Sequence, residues 1–75
     1  MIPYRQRPAY AAAMTTARRA AGVTQAAMVV RGVASGTGAV SSWETGRRVP
    51  TRREWVLYWL TLGADVPGYM EVRGE

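Results

Sequence analysis

The sequence predicts an all-α fold, a compact bundle of four to five helices followed by a tail whose structure it leaves open. Three observations lead there. Residues of capping type stand ahead of two apolar segments, Thr24 before the first and Thr51-Arg52-Arg53-Glu54 opening the second. Glycines at 22, 32, 46 and 63 fall where those segments should stop. Apolar residues recur at helical spacing, as in Tyr10, Met14, Ala17 and Ala21.

Composition narrows the function classes. A chain of 75 residues is one small domain that buries only about 60% of its unfolded surface, so each large apolar side chain counts. There is no cysteine for a disulfide or thiolate site and no histidine for the usual zinc ligand or general base. Glu44, Glu54, Asp65, Glu71 and Glu75 are scattered without paired acid/base spacing. Neither a catalytic residue, nor a metal ligand, nor a cofactor is expected. The net charge of +5 and a pI near 10.8 favour a polyanionic partner, nucleic acid or an acidic membrane surface. All ten cations are arginine, whose planar fork suits phosphate. No segment approaches the ~20 apolar residues that span a bilayer. The run at residues 9–14 is too short and too weakly apolar for a signal peptide, so a cytoplasmic protein without membrane association is expected.

The chain divides into residues 1–7, a basic arm; residues 8–63, the helical domain; and residues 64–75, a tail that is a candidate dimerisation segment. Pro3 and Pro8 keep the arm extended; it is suited to reaching a groove or backbone of nucleic acid, and a frayed terminus is the plainer alternative. The first helix is expected over residues 8–21, with Pro8 at its first position. The second covers residues 25–31 behind Thr24, with Ala26, Val29 and either Val30 or Met28 inward. Gln25 at its amino end is placed to bond phosphate. The third starts near Gly36 or Thr37 and turns Val40 and Trp43 inward, leaving Thr37, Gly38, Ser41 and Ser42 outside. Two short helices joined by a small-residue turn, with arginines just beyond, are written as a helix-turn-helix. Its expected function is reading double-stranded DNA.

Past Gly46, Arg47, Arg48, Arg52 and Arg53 straddle a helix start and form a candidate phosphate clamp; a solvated charged surface is the alternative. The fourth helix, residues 52–62, is apolar almost all round. Trp55, Val56, Trp59 and Leu62 are assigned to the core. Leu57, Tyr58 and Leu60 are then exposed and, with Tyr69 from the tail, make a homodimer interface. The competing possibility is that the small domain wraps this helix more completely.

Residues 10–63 resemble the lambda-repressor-like (Cro/repressor, XRE-type) helix-turn-helix family. The marks are Arg18 four residues before Gly22, Val23-Thr24-Gln25, and Val40-Ser41 ahead of Trp43-Glu44-x-Gly46-x-Arg48-x-Pro50. The resemblance implies a five-helix bundle that binds operator DNA as a dimer, and an Arg18–Glu44 pair tying the first helix to the end of the third. It places Gln25, Thr37, Gly38 and Ser42 at DNA, and Thr45, Gly46 and Arg48 at phosphate. The chain departs from the family's pattern in a longer turn between the second and third helices, in Gly32 where a leucine is usual, and in lacking an amphipathic fifth helix after Gly63.

The function expected from these residues is a small sequence-specific transcriptional repressor or autoregulator of phage or mobile-element type. It would act as a homodimer, without a small-molecule ligand. Regulators of anti-CRISPR operons fit the size. The alternative is an antitoxin-like or other protein-interaction module that uses the apolar face of the fourth helix.

Overall fold

Thr24 and Thr51 begin helices as their side chains require. The Thr24 hydroxyl accepts from the N–H of Ala27. Thr51 and Glu54 close a reciprocal capping box, Glu54 N–H to the Thr51 hydroxyl at 3.2 Å and Thr51 N–H to the Glu54 carboxylate at 2.8 Å. The computed structural model describes residues 8–68, and in them four helices occur in order. These are α1 (Ala9–Ala20), α2 (Gln25–Val30), α3 (Thr37–Thr45) and α4 (Arg52–Thr61). The all-α bundle is as the sequence predicts. A fifth helix is absent from the described residues; the arm and residues 69–75 of the tail, Tyr69 among them, lie outside them.

The core gathers Met14 of α1, Met28 of α2, Val33 of the turn, Val40 and Trp43 of α3, and Trp55, Tyr58 and Trp59 of α4. α3 packs against both α1 and α2. The aromatic rings meet edge to face: Trp43 and Tyr58 at 6.5 Å, Trp55 and Trp59 at 5.3 Å, the arrangement that ring quadrupoles favour. The indole N–H groups of Trp43 and Trp59 find no acceptor among the described residues, so those two rings stabilise by buried area and ring contact without a hydrogen bond.

Several expectations about which side faces inward are corrected. In α2 the choice left open between Met28 and Val30 falls to Met28, fully buried, with Val30 85% exposed, and Ala26, expected inward, is exposed. Six residues make less than two turns, and Met28, a long and adaptable side chain, is the member of α2 in the core cluster. In α1 the buried line is Ala11, Met14 and Thr15. Ala21, assigned to the apolar stripe, lies beyond the helix and is exposed. In α4, Tyr58 is not an exposed interface residue: it is completely buried, and Leu57 is half-buried against the core. Only Leu60 of that trio remains well exposed, at 60%. The domain does wrap α4, because the Tyr58 hydroxyl has acceptors waiting inside.

After α4 the chain folds back along it. Ala64 N–H donates to the Trp59 carbonyl, and the Trp55 indole donates to the Pro67 carbonyl at 2.7 Å. No helix among the described residues is long and apolar enough to cross a membrane.

Candidate nucleic-acid interface

The inner and outer faces of α3 are set by three residues. Val40, Trp43 and Glu44 are buried, and helical geometry puts Gly38, Ser41, Ser42 and Thr45 on the opposite side. Thr37, at the helix start, and Gly38 are exposed; Ser41, Ser42 and Thr45 are half-buried.

The inner face is fixed by Glu44. A carboxylate 3% exposed must be paired and hydrogen-bonded to remain charged. Arg18 supplies a two-pronged contact, Nε to Oε2 at 2.7 Å and Nη2 to Oε1 at 2.9 Å, while its Nη1 donates to the Val23 carbonyl at 2.8 Å. The Tyr58 hydroxyl lies 2.8 Å from Oε2 and 2.7 Å from the Met14 carbonyl, sharing one proton between them. Thr15, bonded within α1 to Ala11, also reaches the Glu44 carbonyl at 3.4 Å. Burial pushes the Glu44 carboxyl pKa upward, but the hydrogen bonds from Arg18, Tyr58 and Gln25 outweigh it and hold it below the ordinary carboxylate value. Burial raises the Tyr58 phenol strongly, and the neighbouring carboxylate adds to the shift. The Arg18–Glu44 tie that the resemblance implies is therefore present, and it joins α1, the α1–α2 turn, α3 and α4. Tyr58 is the member that sequence reasoning missed.

Gln25 also belongs to this network. Its amide nitrogen donates to Glu44 Oε1 at 3.3 Å, so one of its two amide protons points inward rather than at a ligand. The second proton is not used by that contact.

The carboxyl end of α3 carries the first arginines. Gly46 caps it in the left-handed region, φ 81°, and a Cβ there would run into the Pro8 ring, 2.9 Å from Cγ and closer still to Cδ. The reversed chain brings the N–H groups of both Arg47 and Arg48 onto the Ser42 carbonyl, at 3.0 and 3.2 Å. Tyr10 holds the same loop through the Arg48 carbonyl at 3.3 Å. Arg47 and Arg48 thus leave the backbone beside the outer face of α3. Their side chains are exposed, with no hydrogen bond or ion pair among the described residues. Arg52 and Arg53 are exposed at the start of α4. Arg53 lines a cleft of about 210 Å³ with Glu54, Leu57 and Gly32, Val33, Ala34 and Ser35 of the α2–α3 turn. The arginine run is therefore divided: Arg47 and Arg48 follow the end of α3, while Arg52 and Arg53 open α4, Arg53 against the turn before α3.

On the outer face the hydroxyls serve their own helix. Ser42 Oγ donates to the Gly38 carbonyl at 2.9 Å and Thr45 Oγ1 to the Ser41 carbonyl at 2.8 Å. Among the described residues no cluster of acidic residues suited to a metal ion occurs. Comparison of the chain with family models, with curated proteins and with solved structures returned no match.

Proposed function

We propose that this protein is a DNA-binding transcriptional regulator of the helix-turn-helix kind, related in plan to the lambda-repressor-like family, that acts in the cytoplasm without catalysis or a cofactor. The observation that carries the reading is the outer side of α3. A short helix presents small polar residues outward, and the Arg47-Arg48 pair is anchored at its end through the Ser42 carbonyl. In the duplex complex α3 lies in the major groove. Arg47, Arg48 and Arg52, with Thr45, contact phosphates on either side, and Thr37, Gly38, Ser41 and Ser42 face the bases. A homodimer sets two such helices ~34 Å apart on successive major grooves and represses by occupying the promoter. Leu60, 60% exposed, is the part of the expected α4 contact left for a dimer once Tyr58 is withdrawn from it, and Val30, Val49 and Val66 are further large apolar side chains exposed among the described residues. The same surface would serve the alternative, a protein-interaction module with no need of DNA.

Binding of duplex DNA measured by fluorescence anisotropy over a salt series tests the reading. With about four phosphates neutralised per subunit in a dimer, log affinity falls against log salt with a slope of about −7. No retention of duplex at low ionic strength would sink it.

A further inference from the structure

The cleft between the α2–α3 turn and the start of α4 has no part in the DNA reading. It holds about 210 Å³, less than the ~300–1,000 Å³ of pockets that take drug-sized ligands, so it suits a small molecule. Its floor is apolar. Val33 is buried there, and Ala34 and Leu57 lie half-buried against the core.

The polar groups that line the same cleft are not consumed by the fold. The side chains of Arg53 and Ser35 make no hydrogen bond or ion pair among the described residues. Glu54 accepts the Thr51 N–H through Oε1 at 2.8 Å, which leaves Oε2 of the carboxylate able to accept from elsewhere. Arg53 and Glu54 are adjacent in the chain yet do not pair with each other. Capping does not demand the charge at 54, because glutamine closes the same box as glutamate. Nor do the phosphate contacts proposed for Arg47, Arg48 and Arg52 call on Arg53.

Two opposite charges, neither neutralised, over an apolar floor define a class of ligand. An anion alone would meet the Glu54 carboxylate, and a cation alone the Arg53 guanidinium. A purely apolar molecule would strip water from both charges and replace none of it. A carboxylate and an ammonium on one short aliphatic body satisfy all three parts together. The guanidinium donates to the carboxylate, the ammonium donates to Glu54, and the aliphatic chain covers Ala34 and Leu57.

We propose that this cleft binds a small zwitterion with an aliphatic side chain, a free α-amino acid of the leucine kind, with Arg53 holding its carboxylate and Glu54 its ammonium. The site stands apart from the DNA reading and does not rest on it. It runs against the expectation of no small-molecule ligand, since residues 32–35 and 53–57 are brought together only by the fold.

Titration of the intact isotope-labelled chain with leucine, followed through its amide nuclear magnetic resonance shifts, tests the assignment. Saturable shifts centred on residues 32–35 and 53–57 are expected, with a dissociation constant of about 1 mM, as suits so few atoms in an open cleft. N-acetyl-leucine lacks the positive charge and leucinamide the negative one; each should bind about tenfold or more weaker. Glycine, without the aliphatic chain, should also bind about tenfold weaker. Arg53→Gln and Glu54→Gln should each weaken leucine binding about tenfold or more. Both should keep the parent's far-ultraviolet spectrum, since Arg53 is exposed and glutamine preserves the capping box. The proposal is overturned if leucine gives no saturable shift up to its solubility limit, if the amides that move lie elsewhere, or if either variant binds leucine as the parent does. N-acetyl-leucine matching leucine would make the cleft an anion site, and leucinamide matching it a cation site; either result overturns the zwitterion. Glycine matching leucine overturns the role of the apolar floor.

Discussion

One helix, α3, shows two opposed ways of satisfying polar atoms. On its inner side a single carboxylate, Glu44, takes hydrogen bonds from Arg18, Tyr58 and Gln25, drawn from α1, α4 and α2. On its outer side Ser42 and Thr45 bond back to the helix that carries them, and a side chain at Gly38 would meet open space. The inner side is determined by the rest of the chain; the outer side is not. Substitutions on the two sides should therefore behave as differently as their surroundings do.

The largest effect belongs to the inner side. Arg18→Ala leaves Glu44 charged and buried, at a cost of about 3–5 kcal/mol, which is a large share of what so small a domain has. Urea denaturation measures it, and a loss below about 1 kcal/mol would show that solvent reaches the pair. Tyr58→Phe keeps the ring and removes the proton shared by Glu44 and the Met14 carbonyl. A loss of about 1–3 kcal/mol is expected, with the far-ultraviolet spectrum unchanged. Gly46→Ala should cost about 1–2 kcal/mol for the left-handed backbone alone, and more because Pro8 has to move.

The same comparison can be sharpened by pH. Because the Glu44 pKa is lower in the folded protein than its ordinary value of 4.5, the unfolded chain takes up that proton first as the solution is acidified. The stabilisation from Glu44 is therefore complete above pH 4.5, and is lost as the pH falls through the lower folded value. Melting temperature tracked downward from neutral pH should decline in that window, and Glu44→Gln should remove much of the decline while lowering the plateau.

The smallest stability effects are expected outside. Arg47→Ala and Arg48→Ala should each change stability by no more than about 0.5 kcal/mol, while reducing the steepness of the salt dependence by about 0.9 for every phosphate no longer neutralised. An unchanged salt slope in the double variant would place the phosphate grip elsewhere.

Legibility in the sequence divides along the same line. Thr24, Thr51 with Glu54, and the stops at Gly46 and Gly63 were readable because caps act within a few residues of one another. Val40 and Trp43 were readable because i and i+3 on a short helix between glycines leave one choice of inner face. The orientation of α4 was not, since Trp55, Val56, Leu57, Tyr58, Trp59, Leu60 and Leu62 give an apolar signal in every direction. Only the acceptors on Glu44 and Met14, far away in sequence, decide that Tyr58 turns in. The choice between Met28 and Val30 stayed open, and Ala26 was misplaced, for a related reason, as a helix of six residues is too short for periodicity to choose a side. The indole bond from Trp55 to Pro67 has no local signature at all. Of the candidate interface, residue types and order were legible, and the placement of Arg47 and Arg48 on the Ser42 carbonyl was not.

The Pro8 ring sits against Gly46. That ring occupies the space a side chain at position 46 would need, so in a Pro8→Ala background the penalty of Gly46→Ala should shrink toward that of the left-handed backbone alone.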